Sequence, residues 1–251
     1  MDLGLSGRVF LVTGGSRGLG RATAEVLVAE GARVVLSGRD PATIRTTTEA
    51  LGTDRAIGLP MDNGDRRGPE QLIATAVAKF GRIDGALLSV GGPEAGASSQ
   101  LEDDQWRDAF ETVFLGTVRL ARAVASAVAG DGSIAFVLST AVKVPIPGLG
   151  LSNGLRPGLA MVAKEMSVEF GPRGLRVNAL LPGRIDTDRV RQLDAAGDDP
   201  AAVRRSTATI PLGRMGRPEE FGRVATFLLS PAASYLSGVL LSVDGGATRA
   251  L

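Results

Sequence analysis

The stretch Thr13-Gly14-Gly15-Ser16-Arg17-Gly18-Leu19-Gly20 joins a short apolar run, Val9 to Thr13, to a segment with helical spacing, Arg17 to Glu30. Glycines at positions 14, 18 and 20 permit a tight turn, close approach of a ligand to the backbone and close packing of helix on strand. The first amides of such a helix point at a bound anion, and the helix dipole favours negative charge there. This strand–turn–helix context predicts a site for the diphosphate of a dinucleotide.

The end of the second predicted strand, Val34-Val35-Leu36-Ser37-Gly38-Arg39, bears on which dinucleotide fits. An NAD site places a carboxylate about 20 residues beyond the glycines, where it bonds the ribose hydroxyls. Here Arg39 stands near that position and, with Arg17, supplies guanidinium groups suited to a 2′-phosphate. We therefore expect NADP(H) rather than NAD(H). Two alternatives stay open: Asp40 neutralises Arg39 or reaches a ribose itself, or Arg39 is a plain surface residue.

Short β-branched runs alternate with longer segments of helical spacing from one end of the chain to the other. Strands and helices that alternate in this way form a parallel sheet with helices on both faces. The expected fold class is α/β: a single doubly wound, Rossmann-like domain over residues 1–251, with a mostly parallel central sheet. The predicted strands are Val9 to Thr13, Arg33 to Ser37, Ala86 to Ser89, Ser133 to Leu138, Leu175 to Leu181 and Val239 to Val243. The predicted helices are Arg17 to Glu30, Gln105 to Ala129, Gly158 to Phe170 and Glu219 to Leu229.

The composition limits both the partners and the groups available for chemistry. With 251 residues, Lys+Arg 28 and Asp+Glu 27, the net charge is +1, which argues against nucleic acid and membrane surfaces as partners. The chain has no Cys and no His, which excludes disulfides, thiolate nucleophiles and proton transfer by imidazole. Met1 to Gly7 has no signal-peptide pattern, and apolar runs such as Ser133 to Val142 are too short to span a bilayer, so we expect a cytoplasmic protein. No metal site is expected, because the acidic pairs are interpreted as surface groups: Asp103, Asp104, Asp198 and Asp199.

Further motifs extend over nearly the whole chain. They are Asp62, Asp84, Trp106, Gly116, Arg176-Val177-Asn178-Ala179-Leu180-Leu181-Pro182-Gly183-Arg184-Ile185-Asp186-Thr187 and Val243-Asp244-Gly245-Gly246. Together with the glycine turn, these motifs resemble the classical short-chain dehydrogenase/reductases. The resemblance implies an oxidoreductase with a small-molecule substrate, assembled as a homotetramer or homodimer. It implies cofactor contacts at Gly14, Ser16, Arg17, Gly18, Leu19, Gly20, Arg39, Asp62, Asn63, Ser89, Gly91, Pro182, Gly183, Ile185 and Thr187.

The active-site positions depart from the pattern of that family. Leu88-Ser89-Val90-Gly91 stands where Asn-Asn-Ala-Gly is usual, and Val113 stands at the position of a catalytic Asn. The catalytic Ser is kept as Ser139. The usual Tyr-x-x-x-Lys is replaced in register by Ser152-Asn153-Gly154-Leu155-Arg156. The chain is therefore similar to a divergent branch of the family, with Ser-x-x-x-Arg in place of Tyr-x-x-x-Lys.

This replacement matters because carbonyl reduction leaves negative charge on oxygen, which a donor must stabilise and then protonate. A serine hydroxyl is a far weaker acid than a phenol, and a guanidinium stays protonated. We expect Ser139 and Ser152 to bond the substrate oxygen, Arg156 to supply positive charge and to hold ribose hydroxyls, and Lys143 or water to deliver the proton. Lys143 lies in a segment expected to line the substrate pocket, where burial would lower its pKa. The alternative is a surface lysine.

Two segments leave structural alternatives open. Pro157 disfavours helical geometry in the preceding residue and favours a helix start near position 157, in which case Ser152 and Arg156 do not share a helix face. Residues 186–211 form either a mobile substrate flap over the carboxyl ends of the strands or a solvated helical insertion.

Three functions fit these patterns. The first expectation is an NADP(H)-dependent reductase or dehydrogenase acting on a small carbonyl or alcohol, based on the cofactor motifs and Ser139. The second is a catalytically silent nucleotide-binding protein or partner subunit, because the usual Tyr, Lys and Asn are missing. The third is a reductase of an activated C=C or C=N bond, for which the protonation demands differ.

Overall fold

The computed structural model describes residues 1–195 and 200–250, without the side chains of residues 200–203. Within these residues the strands are β1 (Val9–Val12), β2 (Arg33–Gly38), β3 (Ala56–Pro60), β4 (Gly85–Ser89), β5 (Gly132–Val137), β6 (Leu175–Pro182) and β7 (Leu240–Val243). They form one parallel sheet in the order β3-β2-β1-β4-β5-β6-β7. The expected doubly wound α/β fold is confirmed, and its sheet is parallel throughout.

The helices of the described residues are α1 (Gly18–Ala29), α2 (Pro41–Leu51), α3 (Gly68–Phe80), α4 (Asp103–Ala109), α5 (Gly116–Ala127), α6 (Gly150–Phe170), α7 (Asp188–Ala195), α8 (Pro200–Ala208) and α9 (Pro218–Leu229). A π-helical turn, Phe110–Leu115, joins α4 to α5. No helix in these ranges is both long enough and apolar enough to cross a bilayer. Asp198 and Asp199, interpreted above as surface groups, lie outside the described residues.

The alternation of side chains along each strand gives the sheet two cores. In β1, Val9 and Leu11 pack into the core beneath α3, α5 and α6, whereas Phe10 and Val12 pack into the core beneath α1, α2 and α9. Successive side chains of a strand point to opposite faces, so a strand that is covered on both sides needs an unbroken apolar run. All four residues of β1 are buried, as this arrangement requires.

The start of α6 differs from the sequence-based expectation. The helix begins at Gly150 and runs through Pro157, so the predicted start near position 157 is wrong. A proline inside a helix removes one backbone hydrogen bond, at a cost of about 3 kcal/mol. Burial of Leu151, Leu155 and Leu159 in the core outweighs that cost.

The loop that precedes α6 is fastened to the helix by one side chain. The Asn153 Oδ1 atom accepts a hydrogen bond from the Ile146 amide at 2.9 Å, and its Nδ2 donates to the Ile146 carbonyl at 2.9 Å. Because α6 is continuous from Gly150 to Phe170, Ser152 and Arg156, which are four residues apart, share one face of the helix.

Asp84 fastens the amino end of β4 to β1 from a buried position. Its carboxylate accepts a hydrogen bond from the Val9 amide at 2.9 Å and pairs with Arg82 at 2.6 Å and Arg8 at 3.3 Å. We expect Asp84→Ala to lower the free energy of unfolding by about 2–4 kcal/mol, because a buried amide and two cations lose their partner. Urea denaturation measures this change.

The matched control for that prediction is Asp54→Ala. The Asp54 side chain is exposed and stands 3.7 Å from Arg55, so we expect its loss to change the unfolding free energy by less than about 0.5 kcal/mol. Equal effects of the two substitutions would contradict the structural role given to Asp84.

Candidate active site

A cleft of about 600 Å³ opens at the carboxyl ends of the central strands. It lies where the chain order reverses, with β2 on one side of β1 and β4 on the other. In open α/β sheets, ligands bind at this switch point outside the strand ends. Every residue predicted to contact the cofactor lines this cleft, from Gly14 in the glycine turn to Thr187 after β6.

Backbone atoms pack so closely around Gly14 and Gly20 in the glycine turn that a side chain at either position would not fit. A Cβ atom on Gly14 would stand 2.7 Å from the carbonyl oxygen of Ser89, and the residue has a φ of +58°. A Cβ atom on Gly20 would collide with the carbonyl oxygen of Gly14. These contacts bring the backbone of the turn to the wall of the cleft, where the first amides of α1 face an incoming anion.

Thr13 secures the switch point and was missed by the sequence analysis as a site residue. Its hydroxyl donates to the Ser89 carbonyl at 2.8 Å and accepts from the Ser89 amide at 2.9 Å. The carboxyl ends of β1 and β4 are therefore joined by a side chain in addition to the sheet. The signal available in the sequence was a threonine at the end of a strand, directly before the glycine turn.

The two arginines proposed for the 2′-phosphate both line the cleft. Arg17 and Arg39 are exposed, and neither forms an ion pair with any other residue that the structure describes. Asp40 is occupied elsewhere: its carboxylate caps α2 by accepting from the Ala42 amide at 3.1 Å and the Thr43 amide at 3.3 Å. The bond from Ala42 is the main reason that the Asp40 pKa lies below its ordinary value. Asp40 forms no ion pair with Arg39 among the described residues, but its charge acts on Arg17, so its influence on the 2′ position stays a prediction.

Ser139, Ser152 and Arg156 meet in the same cleft. Ser139 follows β5, and its Oγ accepts a hydrogen bond from the Ala141 amide at 3.1 Å, which leaves its hydroxyl proton free to donate. Ser152 is 7% exposed, and its side-chain hydroxyl has no hydrogen-bond partner among the described residues. The cleft therefore holds two hydroxyl donors, one on a strand end and one on a helix.

Arg156 is a buried cation held at the end of β5. Its Nη1 atom donates to the carbonyl oxygens of Val137 and Leu138, both at 2.9 Å, and the residue is 6% exposed. Burial, followed by repulsion from Arg189, lowers the pKa of Arg156 to about 10. The guanidinium is therefore still protonated at neutral pH, and it provides a fixed positive charge beside the two serines.

Lys143 does not join this group. A short 3₁₀ turn, Thr140–Val142, follows Ser139 and leaves Lys143 outside the residues that line the cleft. The lysine is half-buried, and its charge acts on Asp244, beyond the end of β7. The prediction that Lys143 lines the substrate pocket is wrong, because the turn redirects the chain immediately after the strand end.

The position at which the family usually has a catalytic Asn is apolar. Val113 lies in the π-helical turn between α4 and α5, is buried in the core and lines the cleft through part of its surface. It has no group that can donate or accept a hydrogen bond. Any water in this part of the cleft must therefore bond to other residues.

The segment after β6 covers one side of the cleft with a helix. Residues of α7 line it, and the Arg184 guanidinium holds that helix through an ion pair with Asp194 at 2.6 Å. Residues 186–211 include the helices α7 and α8, of which α7 lies over the cleft, and residues 196–199 lie outside the described part of the chain. The movement of this segment as a substrate flap stays a prediction. Arg189, on α7, was not predicted as a site residue. No group of three His, Cys, Asp or Glu side chains among the described residues could hold a metal ion.

Known proteins resemble this chain over nearly its whole length. The family model described as enoyl-(acyl carrier protein) reductase matches residues 14–248. The 3-oxoacyl-[acyl-carrier-protein] reductase FabG of Salmonella typhimurium is 32% identical over 246 residues, which cover 97% of this chain and 98% of that protein. The 2,5-dichloro-2,5-cyclohexadiene-1,4-diol dehydrogenase of Sphingobium indicum is 32% identical over 249 residues, with the same coverage of 97% and 98%.

Two solved structures superpose over the full length of both chains. One is the short-chain dehydrogenase/reductase SDR:glucose/ribitol dehydrogenase of Brucella melitensis, with a TM-score of 0.93 and 28% identity over 100% of each chain. The other is the L-sorbose reductase of Gluconobacter frateurii in complex with NADPH and L-sorbose, with a TM-score of 0.93 and 27% identity over 100% of each chain. From its family match, its relatives and its all-parallel sheet, this chain belongs to the short-chain dehydrogenase/reductase family of oxidoreductases.

Proposed function

We propose that the protein is an NADP(H)-dependent oxidoreductase that transfers hydride between the nicotinamide and a small carbonyl or alcohol substrate. The observation that carries the proposal is the composition of one continuous cleft. It joins the glycine turn and two unpaired arginines to Ser139, Ser152 and Arg156. The names of two related proteins support it: a 3-oxoacyl-[acyl-carrier-protein] reductase and an L-sorbose reductase complexed with NADPH.

The residues present fit NADP(H). The glycine turn leaves a cradle that a Cβ atom would fill, and the first amides of α1 suit a diphosphate. Arg17 and Arg39 suit a 2′-phosphate, because guanidinium groups bond phosphate oxygens in a fixed fork. When bound, NADP(H) supplies or accepts the hydride. The remaining proposed contacts come from Asp62, Asn63, Ser89, Gly91 and from Pro182, Gly183, Ile185 and Thr187, all of which line the cleft.

The chain's own groups would then act on the substrate oxygen. The Ser139 and Ser152 hydroxyls donate hydrogen bonds to it, and the Arg156 charge stabilises the negative charge that develops there. No lysine, tyrosine, histidine or cysteine is among the described residues that line the cleft, and its carboxylates Asp62, Glu94 and Asp188 are engaged with other groups. We therefore propose that the proton reaches the oxygen from water. This is the atypical proton relay that follows from Ser152 and Arg156 in place of the usual tyrosine and lysine.

A second candidate function is reduction of an activated C=C or C=N bond. It is favoured by the absence of tyrosine and lysine from the described lining of the cleft, since the proton donor that is needed depends on the bond reduced. The description of the matching family model, an enoyl reductase, points in the same direction. A third candidate, a silent nucleotide-binding protein or partner subunit, uses the glycine turn alone.

Assembly into a homodimer or homotetramer remains part of the proposal. Met161 and Val168 on α6 are 69% and 72% exposed, and Phe110, which stacks on Phe114, is 41% exposed. Phe114 and Val118, by contrast, pack against the core and offer less to a partner. Sedimentation velocity measures the mass of the assembly directly.

One experiment separates the three functions. Calorimetry with NADPH and NADH measures cofactor binding, and the loss of NADPH absorbance reports turnover with a panel of ketones, aldehydes, imines, quinones and enoyl thioesters. We expect NADPH to bind at least about tenfold more tightly than NADH and at least one carbonyl to be reduced. Binding without any turnover favours the silent protein, and turnover confined to enoyl or imine substrates favours the second candidate. Failure to bind either cofactor overturns the proposal.

A further inference from the structure

Arg156 has donors that nothing in the described protein uses. Its Nη1 atom bonds the carbonyls of Val137 and Leu138, while its Nε and Nη2 atoms have no acceptor among the described residues. The side chain lines the cleft from a buried position. A guanidinium presents five N–H donors in a plane, so part of this fork faces the space where a ligand binds.

A second guanidinium faces the same space. Arg189, on α7, lines the cleft and is anchored by one hydrogen bond, from its Nη2 atom to the Pro93 carbonyl at 2.5 Å. Its Nε atom passes close to Gly92, where a Cβ atom would stand 2.9 Å away. Arg189 is close enough to Arg156 for the two charges to repel.

No carboxylate among the described residues compensates these two charges. Arg156 and Arg189 form no ion pair, and the acidic side chains that line the cleft are engaged with other groups: Asp62 accepts from the Gly64 amide, Glu94 from Gln105, and Asp188 lies 3.6 Å from Arg191. A buried charge without a partner is costly, and the repulsion between Arg156 and the nearby Arg189 adds to that cost. The arrangement is one that a bound anion would relieve.

The cofactor phosphates do not account for both charges. The diphosphate suits the first amides of α1, and a 2′-phosphate suits Arg17 and Arg39 at that end of the cleft. Arg156 projects instead from the helix that carries Ser152, and it bonds the strand end next to Ser139. Its unused donors therefore lie at the end of the cleft where the substrate reacts.

We propose that the substrate of this site is an oxo acid, a carbonyl compound whose carboxylate binds the guanidinium groups of Arg156 and Arg189. The inference rests on the proposed function, because it names the substrate class of the same site. A carboxylate matches the planar fork of a guanidinium and neutralises the excess charge. The carboxylate takes no part in the reaction: an oxo acid, NADPH and a proton from water give a hydroxy acid and NADP⁺.

The test measures binding of matched pairs of ligands to the protein saturated with NADP⁺. The acids are 2-oxobutyrate, acetoacetate and levulinate, and each is compared with its methyl ester by calorimetry. We expect at least one acid to bind tenfold or more tightly than its ester. Arg189→Met should reduce binding of that acid about tenfold and leave binding of the ester unchanged, because one charge-assisted bond is lost.

The matched control is Arg191→Met, on the same helix. Arg191 pairs with Asp186 at 2.8 Å and does not line the cleft, so the preference for the acid should persist. Arg156→Lys keeps a charge at the buried position, and thermal unfolding with and without the acid shows whether that variant folds and still binds. We expect it to retain a weakened preference for the acid over the ester.

The outcomes separate the two proposals. If the protein binds NADPH but every acid binds no better than its ester, the oxo-acid inference is overturned and the proposed function stands. If Arg189→Met weakens NADPH as much as it weakens the acid, Arg189 binds the cofactor and the inference is again overturned. If the unmodified protein binds neither NADPH nor NADH, the proposed function itself fails.

Discussion

The double substitution Ser139→Ala and Ser152→Ala is expected to lower kcat by about 10³-fold while leaving NADPH affinity within about threefold of the unmodified protein. Removal of a single hydrogen-bond donor to a developing oxyanion costs about 10²–10³ in kcat. The full product of two losses is not expected, because Arg156 still supplies its charge and residues that act together are not additive. Steady-state kinetics of NADPH oxidation measures the change with any substrate the protein turns over.

The control for this prediction is Ser167→Ala. Ser167 lies on α6, the same helix as Ser152, but its hydroxyl donates to the Lys164 carbonyl at 2.6 Å and it does not line the cleft. We expect kcat to stay within about twofold. Turnover that survives the double substitution would remove the roles given to Ser139 and Ser152, although not the oxidoreductase activity.

The fold could be predicted from the sequence because the central strands are apolar on both faces. Each of the six predicted strands is present, with limits that differ by one residue at one end or, for β5, at both ends. The range of β3, Ala56–Pro60, was not among them, since its sequence contains Gly58 and Pro60 and has one β-branched residue. Such a sequence is tolerated because β3 is an edge strand, where a terminal proline leaves no partner unsatisfied.

The helices α2 and α3 were not predicted from apolar periodicity, because few of their buried residues are apolar. In α2 the buried residues are Ile44 and Thr47, and in α3 the buried apolar side chains past its first turn are Leu72 and Ala76. Helices on the outside of a sheet need only a narrow apolar stripe, and threonine contributes little to that pattern. Their existence follows from the parallel order of β2, β3 and β4, which requires a crossover between each pair.

The cofactor half of the cleft was predictable because its geometry depends on the backbone. A glycine turn after a strand fixes where the amides point, so residue order alone places the site. The substrate half depends on where longer segments pack. The position of Lys143 was predicted wrongly because a 3₁₀ turn follows Ser139. Arg189 was not predicted because the sequence of residues 186–211 does not show which face of α7 covers the cleft. The sequence also left open whether Ser152 and Arg156 share a helix face, because Pro157 predicted a later helix start. They do share one, since α6 is continuous through Pro157.

Selection of NADPH over NADH is expected to collapse when Arg17 and Arg39 are both replaced by alanine. Each charge-assisted bond to the 2′-phosphate contributes about 1.5–3 kcal/mol, so the loss of two should lower NADPH affinity about 10²–10⁴-fold. NADH lacks that phosphate, and its affinity should change by less than about threefold. Calorimetry with both cofactors gives the two numbers, and the loss should shrink at high salt because both side chains are exposed.

Arg21→Ala tests whether the effect of Arg17 and Arg39 reflects local contact or only the positive charge near the glycine turn. Arg21 lies on α1, pairs with Glu25 at 2.8 Å and is not among the residues that line the cleft. It is therefore one turn of helix from Arg17 with its charge already matched, and its loss should leave the ratio of the two affinities unchanged. If the double variant lost NADPH and NADH equally, the arginines would serve the diphosphate or the fold. The cleft would then not select between the two cofactors through Arg17 and Arg39.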